Sequence, residues 1–266
     1  MGKRMKVTWL FFLFLVLVLT GCDAGQAASG QQEALIIFAA SSLTDAFNDL
    51  AEAFQAQHEG VDIMLNFAGS SQLAAQLMED ATADIFASAN PIQMQHVIDD
   101  GRIATGTEIL FVTNRLTVIV PSNNPAGIGS FEDLAQANLQ LVLAVEGVPV
   151  RQYTDEIVAA MPADFQERFY SNLVSEEDNV RRVAAKVALG EADAGIVYSS
   201  DVTPDIARQV QQIAIPDAQN VIATYPIALL SDAAYAETAQ RFIDFVLSNE
   251  GQSILSSWGF GSPPAD

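Results

Sequence analysis

A chain of 266 residues, half of them apolar, is long enough to fold as one large domain or as two smaller lobes with buried cores. Its 33 acidic residues outnumber the 12 basic ones, which argues against nucleic acid or an anionic membrane surface as a partner, because binding either requires a basic surface. A single cysteine excludes an intramolecular disulfide, so the fold must be stabilised by its core.

The first residues have the features of a signal peptide. Three basic side chains precede an apolar run over residues 9–19, which is short for a membrane span, and Leu-Thr-Gly-Cys follows, ending at Cys22. This ending resembles the lipobox of bacterial lipoproteins, so we expect residues 1–21 to be cleaved and Cys22 to carry lipid; an ordinary secretory signal is the alternative. Residues 22–33 are small and polar and are expected to form a flexible tether. Beyond the signal, nine basic residues face 33 acidic ones, a net charge of −24.

From residue 34 onward, apolar runs alternate with amphipathic helical patterns, which predicts an α/β fold. The first predicted strands are 34–39, 61–67 and 83–89, and the first helices are 43–58, 72–79 and 91–100. The next strands are 108–112, 115–121, 139–145, 172–174 and 193–198, and the next helices are 131–137, 151–161, 164–170 and 180–189. The last elements are a strand at 225–230 and helices at 232–248 and 251–257.

These elements fall into two groups, and no linker-like segment separates them. We therefore expect two lobes, each with a mixed, mainly parallel sheet flanked by helices. Lobe 1 would comprise residues 34–112 and 217–266, and lobe 2 would comprise residues 113–216. Strands rather than a flexible linker would then connect the lobes.

Two turns that join a strand to a helix each carry a pair of serines. They are FAASSL at residues 38–43 and FAGSSQL at residues 67–73. A helix N-terminus presents unpaired N–H groups and the positive end of the helix dipole, and it therefore suits an anion. Similar joins lie at residues 148–150 and 178–180, each before a predicted helix. Helix capping alone would explain any one of the four, but two in each lobe favour donors that converge on one anion.

The sequence offers little for metal or acid–base chemistry. It has two histidines, His58 and His96, and no motif with the spacing of a zinc, calcium or catalytic site. Neither serine turn matches the G-x-S-x-G pattern of a serine hydrolase, so we expect a binding protein rather than an enzyme. The acidity of the chain does not exclude an anionic ligand, because surface charge is screened over about 8 Å at physiological salt.

The serine turns and three further segments, at residues 147–150, 177–181 and 195–201, resemble in order and spacing the substrate-binding protein of molybdate ABC transporters. The similarity extends over residues 35–260, and GIVYSSD at 195–201 is its most specific part. It implies a type II periplasmic binding protein fold, in which two α/β lobes enclose the ligand in a cleft. It also implies an extracytoplasmic monomer that binds molybdate, together with tungstate, delivers the anion to a membrane permease and needs no cofactor.

In that family, neutral donors hold the tetrahedral dianion. The matching residues of this chain are Ser42 and Ser70 in lobe 1, and Val150, Val180 and Tyr198 in lobe 2. The resemblance implies that the serines donate hydroxyl and backbone N–H groups, that the valines donate backbone N–H groups, and that Tyr198 donates its hydroxyl. Molybdenum would then be bound only as its oxyanion.

One residue departs from the family pattern, because Arg151 stands where a glycine is common. Its side chain could donate to the anion, bridge the closed lobes through an acidic residue, or lie solvated at the start of its helix. Three other functions also stay open. They are a site for another small oxyanion such as sulfate or phosphonate, an enzyme that uses Ser42 or Ser70, and a lipoprotein whose cleft contacts only proteins.

Overall fold

A computed structural model describes residues 33–264 of the protein. The signal peptide expected over residues 1–21, the lipidated Cys22 and the tether up to residue 32 lie outside this range. Glu33, which the sequence-based prediction assigned to the tether, is instead the first residue of a strand, and its N–H donates to the carbonyl of Gly60 at 2.9 Å. Within residues 33–264, no helix combines the length and the apolar character needed to cross a bilayer.

Strands and helices alternate over most of this range, as expected for an α/β fold. The strands are β1 (Glu33–Ala40), β2 (Val61–Ala68), β3 (Ile85–Ala87), β4 (Ile109–Pro121), β5 (Leu141–Ala144), β6 (Leu173–Glu177), β7 (Ala194–Tyr198), β8 (Val210–Ala214) and β9 (Ile222–Leu229). The helices are α1 (Thr44–Gln57), α2 (Ser70–Met78), α3 (Pro91–Asp99), α4 (Pro149–Ala159), α5 (Ala163–Ser171), α6 (Val180–Ala188), α7 (Pro204–Ala207), α8 (Ala236–Leu247) and α9 (Asn249–Ser257). Short 3₁₀ turns cover Ser41–Leu43, Glu132–Ala135 and Ser199–Asp201.

The strands form two half-sheets that share β4. In the first, β2, β1 and β3 are parallel, and β9 and the start of β4 extend the sheet in antiparallel pairs. In the second, β6, β5 and β7 are parallel, and the end of β4 pairs antiparallel with β7 and β8. The partner of β4 changes from β9 to β7 between Arg115 and Leu116. We call the first half-sheet together with helices α1–α3, α8 and α9 lobe 1. The second half-sheet together with helices α4–α7 is lobe 2. The exact residue boundaries expected from the sequence stay a prediction.

The strand that connects the lobes differs from the sequence-based prediction. Residues 108–112 and 115–121 were expected as two strands, but they form the single strand β4. The polar residues between them stay in the sheet because their backbone groups find partners on a neighbouring segment. The N–H of Thr113 donates to the carbonyl of Gly261 at 3.0 Å, and the reverse bond measures 2.9 Å.

The structure differs from the sequence-based prediction in several smaller elements, whose bounds depend on tertiary contacts. Helix α8 begins at Ala236 rather than at residue 232, because the residues before it turn and the N–H of Tyr235 donates to Asp84 at 3.2 Å. The sequence-based prediction missed β8 and α7, and residues 131–137 contain a 3₁₀ turn in place of the expected helix. Two consecutive exposed glutamines occupy the middle of β8, so its sequence lacks the alternation of apolar and polar residues that predicts a strand.

The helices pack on the half-sheets through their apolar faces. In lobe 1, α1 and α8 meet through Phe47, Phe54 and Phe242, whose rings contact edge to face at centroid distances of 6.2 and 5.3 Å. Burying one such ring stabilises the fold by about 1.5–3 kcal/mol. In lobe 2, α6 lies against β7 at Gly195, where an added Cβ would approach Val183 to 2.9 Å. Glycine is therefore required for this close helix–strand contact.

The order of the strands brings several chain joins to one place. β1 and β2 end just before the N-terminal turns of α1 and α2, and β5 and β6 end before α4 and α6. Strands that run parallel end at the same edge of their half-sheet, and in both half-sheets this edge lies where β4 passes from one to the other, so these joins lie close together. β7 ends at Tyr198 beside them. The fold thus gathers four helix N-termini and one tyrosine at the border between the lobes.

Candidate functional site

A small cavity lies where these joins meet, with about 190 Å³ of empty space in it and at its mouth. Four larger cavities at the surface of the described residues each enclose about 550–720 Å³. All five site residues expected from the sequence line the small cavity, and no residue that lines it in the described range carries a charge. The lining residues are Ala40, Ser41, Ser42, Gly69, Ser70, Ala89, Val148, Pro149, Val150, Val180 and Tyr198.

Ser70 contributes a hydroxyl whose oxygen already accepts one hydrogen bond from the protein. It is the first residue of α2 and is 1% exposed. Its Oγ accepts a hydrogen bond from the N–H of Ala89 at 3.0 Å. Because a serine hydroxyl also carries one proton to donate, that proton is free for a further acceptor in the cavity. The backbone N–H of Ser70, in the first turn of the helix, has no acceptor within α2.

Ser42 lies in the 3₁₀ turn that leads into α1. The turn is tightened by the hydroxyl of Thr44, which donates to the carbonyl of Ser41 at 2.7 Å. Ser42 is almost fully buried, and its Oγ lies 3.1 Å from the phenol oxygen of Tyr225. Both serines of lobe 1 therefore reach the cavity from N-terminal turns, and each has a second polar partner that holds it in position.

Lobe 2 presents backbone donors from two helix starts. Val150 is the second residue of α4 and follows Pro149, which has no N–H. Val180 is the first residue of α6, and the side chain of the capping residue Asn179 accepts from the N–H of Arg182 at 3.1 Å. N–H groups of the first turn have no intrahelical acceptor, so those of Val150 and Val180 are available to a ligand.

Tyr198 supplies a hydroxyl without a protein partner. It is 1% exposed, and its phenol oxygen has no hydrogen-bond partner among residues 33–264. Burial, and after it the neighbouring Tyr225 and Tyr153, raise the pKa of Tyr198 well above its ordinary value, so the hydroxyl keeps its proton at neutral pH. A buried O–H that lacks an acceptor costs about 1–3 kcal/mol, which an acceptor atom in the cavity would remove.

The electrostatic character of the cavity comes from dipoles. The N-terminus of each helix carries roughly half a positive charge, and four such ends point at this cavity from α1, α2, α4 and α6. Together they present about two positive charges without any cationic side chain. Such dipoles favour a bound anion, even within a strongly acidic protein.

The two lobes touch closely around the cavity. Gly69 of lobe 1 faces the backbone of Asp178 in lobe 2, and an added Cβ would lie 2.6 Å from the carbonyl oxygen of Asp178. Beside it, the side-chain amide of Asn90 donates to the side-chain oxygen of Gln152 across the cleft at 2.8 Å. The lobes therefore meet by direct contact beside the cavity, and only a glycine fits at the position of Gly69.

The structure places the Arg151 side chain in none of the three positions that the sequence left open. Its side chain is buried within lobe 2, where it pairs with Glu176 at 2.6 Å and Asp155 at 2.8 Å and donates to the carbonyl of Ala144 at 3.2 Å. The solvated position is wrong, and Arg151 neither lines the cavity nor bridges the lobes. Its burial opposes the charge, but the hydrogen bonds to the two carboxylates outweigh this and raise its pKa.

A charged contact between the lobes lies next to the cavity. Arg181, which follows Val180, pairs with Asp45 of lobe 1 at 2.6 Å and with Asp201 of lobe 2 at 3.0 Å. Asp201 is completely buried, and this raises its pKa to about 6, although Arg181 and the N–H of Tyr198 both favour the carboxylate. The cation is thus shared between two carboxylates rather than directed at the cavity.

Neither histidine contributes to this site. His58 stacks on Phe54 at a ring distance of 3.9 Å and pairs with the carbonyl of the same residue at 2.8 Å. His96 is exposed on α3. Within the described residues, no group of three or more His, Cys, Asp or Glu side chains is placed to hold a metal ion.

The profile of the bacterial extracellular solute-binding protein family matches residues 35–261. The chain belongs to this family. The molybdate-binding protein ModA of Mycobacterium tuberculosis H37Rv is 37% identical over 262 residues, which cover 96% of this chain and 97% of the relative. The solved periplasmic molybdate-binding protein of Azotobacter vinelandii matches with a TM-score of 0.76, at 16% identity over 86% of this chain and 100% of its own. The sulfate-binding protein SubI of M. tuberculosis matches with a TM-score of 0.79, at 16% identity over 86% of each chain.

These similarities confirm the resemblance to molybdate-binding proteins that the five sequence segments indicated, and they confirm the two-lobe fold of a type II periplasmic binding protein. The relatives are solute-binding transport proteins rather than enzymes. The two solved structures share only 16% identity with this chain, so their likeness concerns the fold and does not distinguish between a molybdate and a sulfate site.

Sequence reasoning missed three residues that contact the site residues or lie beside them. Ala89 contributes only its N–H to Ser70, and a sequence gives no sign of such a bond. Tyr225 lies in an apolar strand, where a buried tyrosine needs a partner for its hydroxyl. That requirement could have identified Tyr225 as a residue with a polar contact in the core. Arg181 directly follows an expected anion donor, which also marks it as a residue to consider.

Asp201 gives a pH-dependent test of the charged contact. Its pKa in the folded protein, about 6, lies above that of an unfolded aspartate, 3.8, so only the folded state takes up a proton between these values. The free energy of unfolding should therefore fall as pH rises through this window. Asp201→Asn removes this contribution, and lowering the pH from 7.5 to 5 should stabilise the wild type relative to the variant by roughly 1 kcal/mol. Urea unfolding of both proteins without added anion measures this difference, and identical pH dependences would contradict it.

Proposed function

We propose that this protein binds molybdate, and tungstate equally, as the extracytoplasmic component of an ABC transporter. The observation that carries the proposal is the lining of the cavity. Hydroxyls of Ser42, Ser70 and Tyr198 and first-turn N–H groups of Val150 and Val180 surround one small space that no charged side chain enters. This donor set is the one that the family resemblance implied, and the 37% identity to a molybdate-binding relative supports it.

The protonation state of the ligand provides the physical reason for selectivity. Molybdate is fully ionised at neutral pH and offers only acceptors, whereas phosphate keeps at least one proton. In a cavity whose hydroxyls and N–H groups all donate to the anion, that proton would face another donor, and any hydroxyl that turned to accept it would lose its own bond to the anion. A buried unpaired donor is costly, so the hydrogen-bond inventory favours the fully ionised anion. Sulfate is also fully ionised, and only its smaller size would exclude it.

We also propose how the protein is anchored and how it acts. Cys22 would carry the lipid that holds the protein at the outer side of a membrane, and the monomer would deliver its anion to a permease. Residues 34–112 and 217–266 would move against residues 113–216 by bending the connecting segments near 111–115 and 217–224. The anion would favour the closed state because only there do donors from both lobes reach it.

Calorimetric titration tests the ligand directly. The protein without residues 1–22 would be titrated with molybdate, tungstate, sulfate and phosphate at pH 7.5. We expect tight binding of molybdate and tungstate with similar affinity, weaker binding of sulfate, and no binding of phosphate. Preferred binding of sulfate would favour the rival oxyanion function, and equal or absent binding of all four would contradict the proposal.

Single hydroxyl deletions should show that the lining residues hold the anion. Ser70→Ala and Tyr198→Phe each remove one hydrogen bond to a charged ligand, and each should weaken molybdate binding by about 1.5–3 kcal/mol. Ser171→Ala and Tyr170→Phe are matched controls, because these residues lie outside the cavity and donate to Arg168 and Asp155. Calorimetry should give wild-type affinity for both controls. Unchanged affinity in both cavity variants would mean that the anion binds elsewhere.

Gly69→Ala should separate closure from folding. The backbone angles of Gly69, φ −59° and ψ 137°, suit alanine, so the variant should fold with wild-type stability. Its Cβ would collide with Asp178 and hold the lobes apart, which should weaken molybdate binding at least about tenfold, since hydrogen bonds weaken steeply with distance. Gly129→Ala is the control, because an added Cβ there meets only the side chain of Asp133 at 3.7 Å. An affinity of Gly69→Ala equal to that of the control would contradict the closure account.

A further inference from the structure

A chain of buried side-chain hydrogen bonds leads from the strands that connect the lobes to Ser42. Asn114 lies on β4 and Tyr225 on the adjacent β9, and both are at most 3% exposed. The side-chain nitrogen of Asn114 lies 3.4 Å from the phenol oxygen of Tyr225, and that oxygen lies 3.1 Å from Oγ of Ser42. Neither Asn114 nor Tyr225 lines the cavity.

The orientation of the Asn114 amide is fixed by its surroundings. The backbone N–H of Arg115 donates to the side-chain oxygen of Asn114 at 2.9 Å, and only an oxygen can accept this bond. The nitrogen therefore faces the other way, where it donates to Oγ of Ser200 at 2.8 Å and to Tyr225 at 3.4 Å. The phenol oxygen of Tyr225 consequently acts as an acceptor toward Asn114.

The phenol proton of Tyr225 then has one destination. Among the hydrogen-bond partners of Tyr225 in the described range, Asn114 can only donate, and Oγ of Ser42 is the acceptor that remains. Burial raises the pKa of Tyr225 well above its ordinary value, so the proton is present at neutral pH. With Tyr225 donating to its oxygen, Ser42 has its own proton left to direct at the cavity.

We infer that Asn114 and Tyr225 are positioning residues that determine anion specificity by making Ser42 an obligatory donor. This inference rests on the proposed function, because it concerns how the same cavity distinguishes anions. At Ser70 the backbone N–H of Ala89 donates to the serine oxygen in the same way, and no side-chain substitution can remove that donor. At Ser42 the side chains of Asn114 and Tyr225 supply and orient the donor. The specificity can therefore be altered there without changing a residue that touches the ligand.

The test compares the affinities of Tyr225→Phe for molybdate and for hydrogen phosphate. Without the phenol proton, the hydroxyl of Ser42 is free to rotate and to accept the proton of hydrogen phosphate. Molybdate binding should weaken, and the ratio of phosphate to molybdate dissociation constants should fall about tenfold, the order expected when one buried hydrogen-bond mismatch is removed. Asn114→Leu should change the ratio in the same direction by less, because Tyr225 then loses only a 3.4 Å bond and keeps its bond to Ser42.

A double-mutant cycle separates this role from a structural one. Adding Tyr225→Phe to Ser42→Ala should leave the ratio unchanged, because the hydroxyl that Tyr225 orients is already absent. Tyr170→Phe, the control without contact to the cavity, should keep the wild-type ratio. Urea unfolding of each variant confirms that it folds.

The outcomes are distinct. A wild type that does not bind molybdate would overturn the proposed function and this inference with it. A wild type that binds molybdate, together with an unchanged ratio in Tyr225→Phe and Asn114→Leu, would overturn this inference alone. An equal fall of the ratio with and without Ser42 would also overturn it, because Tyr225 would then act through the general packing of the site.

Discussion

The physical constraint behind the proposed site is that a buried dianion must have every acceptor satisfied by a donor. Removing a charge from water is costly by many kcal/mol unless hydrogen bonds replace the lost hydration. Helix N-termini supply such donors, and they do so with dipoles that favour negative charge. The alternation of strands and helices that places four N-termini at one border is therefore more than a scaffold, because it creates the polarity of the cavity. Donors from both lobes are needed to surround one tetrahedral ion, which links binding to closure.

The same constraint explains how so acidic a chain could hold the anion proposed for it. The surface charge is screened over about 8 Å in physiological salt, and the cavity contains no carboxylate among its lining residues. Two cations directly follow lining donors along the chain, Arg151 and Arg181, and each is paired with two carboxylates, so they add little net charge. Short-range dipoles therefore determine the potential inside the cavity. A donor set without a cationic side chain also distinguishes anions by whether they carry a proton, and not by their charge alone.

The sequence predicted those parts of the site that depend on local structure. A strand followed by serines and an amphipathic helix identifies a helix N-terminus, so Ser42 and Ser70 could be found from a few neighbouring residues. Contacts between distant residues were out of reach. Tyr225 is 183 positions from Ser42, and Arg151 is buried because of Glu176, 25 positions away. The single strand β4 was likewise unpredictable, since Thr113 stays in the sheet through distant partners on β9 and near the end of the chain.

The most direct measurement is a crystal structure with bound molybdate, in which anomalous scattering at the molybdenum edge locates the metal. The account predicts one molybdenum peak in the cavity. Its oxygens should lie about 2.7–3.1 Å from donors of both lobes, with no protein atom bound to the metal. A peak outside the cavity, a carboxylate in direct contact with molybdenum, or an anion held by one lobe alone would contradict it.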